Sequence, residues 1–142
     1  MARQVSGDGW SLSLPDGVTG GPLAHSHTHL RTMARYLGQA DDGTGLEVIV
    51  TTYPADPIGE RGERLDSGGE HCAVRGARKA TRRTQQTHLQ IDPAAAPVET
   101  VIIVAIRRSG SSVCLVLHRP TGASAAASET VVESFVLDGT GH

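Results

Sequence analysis

Aromatic side chains are scarce: Trp10, Tyr36, Tyr53 and Phe135 are the only ones in 142 residues. Any core built by this chain must therefore be aliphatic, and valine, isoleucine and leucine in short runs favour strands. Lysine is nearly missing as well. Lys79 stands alone among 13 lysines and arginines, an imbalance that reads as codon usage and not as chemistry. Charge of either sign is not in excess. The net charge of −2 and the pI near 6.4 call for neither a nucleic-acid partner nor a membrane surface. Only two cysteines are present, Cys72 and Cys114. Both lie beside apolar residues, so buried free thiols are the ordinary reading and a disulfide the other. Long apolar runs are missing too. The longest, Val101 to Ile106, falls far short of the roughly 20 residues that span a bilayer. The first residues, Met1 to Asp8, lack the apolar run of about 7–15 residues that an export signal carries. A cytoplasmic location is the expectation as the sequence is written.

The length itself points to one domain over residues 1–142, which buries roughly 68–70% of its unfolded surface. Trp10-Ser11-Leu12-Ser13-Leu14 alternates with period two before the turn Pro15-Asp16-Gly17, which predicts a short strand. The stretch His25 to Ala40 fits both periods. Leu30, Met33, Ala34 and Leu37 mark a helical face, while Thr32, Ala34 and Tyr36 alternate as in a strand. The Gly-rich loop Asp41 to Gly45 and the β run Leu46 to Tyr53 favour a hairpin, with a strand over about Thr32–Gly38. Residues from Pro54 to Glu70 read as a long connection with a helical turn near Glu60–Leu65. Cys72–Val74 and Ala77–Thr84 read as strands around a bend at Gly76, and Gln85–Pro97 as a second loop. Val98–Arg107 and Val113–Arg119 form the strongest predicted hairpin. A helix over Ala123–Phe135 follows, with Ser124 or Ser128 as N-cap and Val131, Val132 and Phe135 as its buried stripe. Together these predict an α+β domain: an antiparallel sheet of about six strands covered by a C-terminal helix.

That order resembles the PsbP-like fold, which includes the LpqN-type small lipoproteins. The residues that carry the resemblance are Trp10 to Gly17, a strand running into Pro and a turn; Val74 to Ala80, similar to the family's Gly-Ala run leading into a strand; and Glu133-Ser134-Phe135, where the last helix finishes. The resemblance spans nearly the whole chain. It implies a non-catalytic accessory or binding role and an exported location, and it brings no ligand or catalytic residue with it.

His25-Ser26-His27-Thr28-His29 is the sharpest local feature. On an extended backbone, His25, His27 and His29 point to one face, and imidazole is a common ligand for zinc, copper and nickel. Three ligands suffice for a catalytic zinc, but no carboxylate is fixed nearby as a base. An exposed loop with incidental metal affinity is the ordinary reading. The second feature is a cationic run of Arg75, Arg78, Lys79, Arg82 and Arg83 without an acid. It suits either an edge strand guarded by charge or a contact for phosphate and other anions. No aromatic is interleaved to stack nucleobases. Asp41 to Gly45 lacks the ligand spacing of a calcium loop, and no phosphate loop or nucleophile elbow is present.

The functional expectation is a binding or accessory module, not an enzyme, with no cofactor. It would engage a protein partner or small ligand through a sheet face or the groove between sheet and helix. The alternative is a small metal-binding protein or metal-dependent enzyme using the three histidines.

Overall fold

The computed structural model describes residues 2–24, 30–58, 62–87 and 97–138. Its largest element is a seven-stranded antiparallel sheet. The strands are β3 (Val18–Leu23), β4 (Thr32–Gln39), β5 (Gly45–Tyr53), β6 (Glu70–Cys72), β7 (Lys79–Thr87), β8 (Val98–Ile106) and β9 (Ser112–Pro120). They lie in the order β3-β4-β5-β9-β8-β7-β6. A second antiparallel sheet holds β1 (Ala2–Gly7), β2 (Trp10–Pro15) and β10 (Val136–Leu137), with β2 in the middle. The one helix among the described residues is α1 (Ala126–Ser134).

The expectation of a single sheet of about six strands under a covering helix is corrected. The described residues are mostly β, with two antiparallel sheets of three and seven strands and one short helix. A nine-residue helix is only about 13 Å long at 1.5 Å per residue, too short to cover seven strands spaced about 4.8 Å apart. The β1-β2-β10 sheet takes most of that task. The two predicted hairpins do form, with Ala34 opposite Val50 and Ile103 opposite Leu115. They are joined through β5 and β9, where Val50 sits opposite Leu115.

The alternation of the strands gives the large sheet two faces. One carries Val18, Ala34, Tyr36, Val48, Val50, Ile103, Leu115 and Leu117, all buried. These pack in one cluster with Trp10, Leu12 and Leu14 of β2, Leu137 of β10, and Val131 and Phe135 of α1. At about 25 cal/mol per Å² of apolar surface, this is the main stabilising layer. The opposite face carries a smaller cluster of Leu30, Tyr53, Ile102, Val104, Ile106 and Cys114, with Met33, Leu65 and Val116 at its margin.

α1 starts later than the predicted Ala123. Its N-cap is Ala125 without a side-chain cap, while the Ser124 hydroxyl accepts a hydrogen bond from the Ala126 N–H at 3.2 Å. The helix is tied to β2 by the Ser13 N–H donating to Ser134 Oγ at 2.8 Å. The helical turn expected near Glu60–Leu65 falls partly on residues 60 and 61, outside the described residues. Arg64 instead forms an isolated antiparallel bridge with Ile58.

Candidate binding site

The three sequence candidates for metal binding, His25, His27 and His29, lie outside the described residues. Among the described residues no group of three or more His, Cys, Asp or Glu side chains could hold a metal ion. No helix among them is long and apolar enough to cross a membrane.

The cationic run is divided by the fold. Arg82 lies on the face of the large sheet that α1 covers, and its guanidinium forms a two-pronged pair with the Glu129 carboxylate, one prong at 3.0 Å. This holds the Glu129 carboxyl below its usual range. Arg83 points the other way and donates to the Ser67 carbonyl at 3.0 Å. Lys79 shares that second face at the start of β7. Arg75 and Arg78 lie before the strand, in and just after the turn at Gly76. Nor is β7 an edge strand along its first residues, because β6 pairs outside it through Ala80 and Arg82. Five adjacent cations thus face three different surroundings.

The two cysteines do not pair: both are free. Cys72 lies on the row Cys72–Ala80–Ala105–Val113, so three inter-strand steps of about 4.8 Å separate it from β9. Cys114 faces the opposite side of the sheet. Burial pushes the Cys114 thiol up to about 12, and it raises Cys72 against the opposing effect of Arg82. A protonated, buried thiol is a poor nucleophile.

One polar row crosses the sheet on the less covered face. Glu47, His118 and Thr100 are direct cross-strand neighbours on β5, β9 and β8. His118 Nδ1 and Thr100 Oγ1 are 2.8 Å apart, and His118 Nε2 lies 3.9 Å from Glu47 Oε1. Glu47 is also gripped by Arg35, whose Nε donates to Oε2 at 2.6 Å. Carboxylate, imidazole and hydroxyl in series look like a nucleophile relay. Thr100, however, is only 2% exposed, so no substrate carbonyl can reach its oxygen. The row acts as a satisfied cross-strand network.

A cleft of about 420 Å³ opens between β1–β2 and the first turns of α1, lined by Ala2, Ser13, Pro15, Ala40, Ala126 and Thr130 among others. Its walls are mostly methyl and methylene groups. Asp41 and Asp42, from the turn between β4 and β5, also line it. Asp42 is kept ionised by the Thr44 N–H, which donates to its Oδ1 at 2.9 Å and lowers its pKa. Small residues make the cleft: Ala126 and Ala127 leave open the space a larger side chain on α1 would fill. In the sequence, Asp41 to Gly45 reads only as a turn. Its meeting with α1 depends on contacts between residues about eighty positions apart and has no local signature.

No family model and no curated protein sequence matches the chain. Its fold is similar to that of a protein from Bacteroides thetaiotaomicron VPI-5482, solved at 1.50 Å resolution. The TM-score is 0.62 at 9% identity over 99% of this chain, which spans about 50% of the length of that protein. At that identity the likeness concerns the fold alone.

Proposed function

We propose that this domain is a non-catalytic binding module, and that its recognition element is the cleft between β1–β2 and α1. The observation that carries the reading is the composition of that cleft: an apolar floor of Ala2, Pro15, Ala40, Ala126 and Ala127 beside the carboxylates of Asp41 and Asp42. A volume of about 420 Å³ falls within the range of roughly 300–1,000 Å³ typical of small-molecule sites. The chemistry suits a ligand with an apolar body and a cationic head. The body displaces water from the alanine wall, and the head meets the two carboxylates.

A binding role is favoured over catalysis by the state of the reactive groups that are described. The Thr100 hydroxyl and the Cys114 thiol are both sealed in the sheet. A metal-dependent role for His25, His27 and His29 rests on residues outside the described set.

The test is a titration followed by amide chemical shifts, with hexylammonium as the probe. Shifts are expected at Ala40–Asp42 and Ala126–Thr130, and they should be lost in Ala126→Trp, which fills the cleft from an exposed position. Shifts scattered over the surface, or unchanged in the filled variant, would remove the proposal.

A further inference from the structure

A second cavity, of about 540 Å³, lies at the opposite end of β7, β8 and β10 and is lined by Gly76, Ala77, Arg78, Arg107, Arg108, Ser109 and Asp138. Three arginines meet there from two different loops, although Arg78 and Arg107 are nearly thirty positions apart in the chain. The walls are fixed by backbone hydrogen bonds. The Leu137 N–H donates to the Arg75 carbonyl at 2.8 Å, the Arg78 N–H to the Ile106 carbonyl at 2.8 Å, and the Arg107 N–H to the Ser111 carbonyl at 2.8 Å. Asp138 is held by its own N–H, which donates to the Gly9 carbonyl at 2.9 Å.

Arg107 is the unusual member. It is 4% exposed, yet it forms no ion pair among the described residues. Its guanidinium donates instead to neutral acceptors: the Gly9 carbonyl at 2.7 Å, the Asp8 carbonyl at 3.2 Å and Ser111 Oγ at 3.4 Å. Its Nε is buried without a partner. Guanidinium stays charged under all ordinary conditions, and a buried charge is costly unless an opposite charge compensates it. The acids nearest in effect are Asp8 and Asp138, and Arg31 opposes them. Arg78 and Arg108 are exposed, and neither side chain has a hydrogen bond or ion pair among the described residues. Among the described residues of the lining Asp138 is the one acid, so these residues carry a net excess of two positive charges: three arginines less one aspartate.

We propose that this cavity is an anion site for a small molecule bearing a phosphoryl or diphosphoryl group. Arg78 and Arg108 reach the anion from the two loops, and Arg107 supplies fixed positive potential at the base. Forked guanidinium donors match the oxygens of a phosphoryl group, and the volume exceeds what one phosphate fills. The site is separate from the cleft beside α1, and the proposal does not depend on that cleft being occupied.

The experiment measures pyrophosphate binding calorimetrically, at ionic strength matched with sodium chloride to remove general screening. It compares the wild-type protein, the double variant Arg78→Gln/Arg108→Gln, and Ala126→Trp. The two replaced side chains are exposed and make no hydrogen bond or ion pair among the described residues, so the double variant should keep the fold. Arg107 is left in place because it holds the chain at Asp8 and Gly9. The expected result is saturable binding to the wild type, weakened by about tenfold or more in the double variant and unchanged in Ala126→Trp. Absence of binding beyond the chloride control, or equal affinity in the double variant, would overturn the proposal.

Discussion

His118 shows how a single side chain reports its surroundings. Burial lowers its pKa from the usual 6.5, and the Glu47 carboxylate opposes the shift only in part. The folded protein therefore holds a neutral imidazole where the unfolded chain would bind a proton. Stability from this group is fully present above about pH 6.5 and is lost as pH falls through that value toward the lower folded pKa. In urea titrations the midpoint should drop between about pH 7.5 and about pH 5.5. The drop should be smaller in His118→Gln, which keeps a hydrogen-bonding partner for Thr100 but cannot be protonated. Equal drops in the two proteins would show that His118 is not held neutral by the sheet.

At the scale of elements, the C-terminal strand β10 is bound on both sides. It pairs with β2 through Val136–Ser11 and Leu137–Trp10, and the Leu137 N–H donates to the Arg75 carbonyl in the turn before β7. Gly76 makes that close approach possible. Its φ of +88° is open to glycine, and a Cβ there would meet the Leu137 carbonyl directly. Gly76→Ala should therefore cost about 1–3 kcal/mol, measured by urea unfolding, and should speed amide exchange at Val136 and Leu137 before it affects β8 and β9. A variant as stable as the wild type would mean that β10 does not run against this turn. The ion pair between Arg82 and Glu129 ties α1 to β7 as well. With side chains 32% and 39% exposed, it belongs among surface pairs worth at most about 1 kcal/mol.

Element by element, the sequence was most legible where pattern and burial agree. Val98 to Ile106, rich in β-branched residues, and Ser112 to Pro120, with an apolar stretch from Val113 to Leu117, flank a Ser-Gly turn and form the predicted hairpin. The strand over Thr32–Gln39 competed with a helical reading, and the hairpin logic of Asp41 to Gly45 decided it correctly. β3 was missed because Gly20, Gly21 and Pro22 are poor strand residues. They are tolerated because β3 is the edge of the sheet, and Gly20 is needed there because the Arg35 carbonyl leaves no room for a side chain. β1 was missed because its inward positions carry only Arg3 and Val5, too weak an alternation to read. The burial of Arg107 was invisible in the sequence. Its acceptors are the carbonyls of Asp8 and Gly9, nearly a hundred residues away. The arginine cavity is hidden for a similar reason, because its lining comes from three separate stretches of chain and only Arg78 belongs to the cationic run.

For the whole molecule, the difference between one covered sheet and two packed sheets decides where the two proposed ligands bind. Both cavities lie at ends of the β1-β2-β10 layer. The α1 cleft opens where β2 meets the helix, and the arginine cavity opens where β10 ends. If β2 were instead a strand of the large sheet, neither opening would exist in this form. The most direct test is a set of cross-strand nuclear Overhauser effects on the labelled protein. Two sheets predict contacts from Ser11 to Val136 and from Ser13 to Gln4, together with contacts from Val50 to Leu115. Backbone contacts pairing Leu12 or Leu14 with β4 or any other strand of the seven-stranded sheet would contradict it.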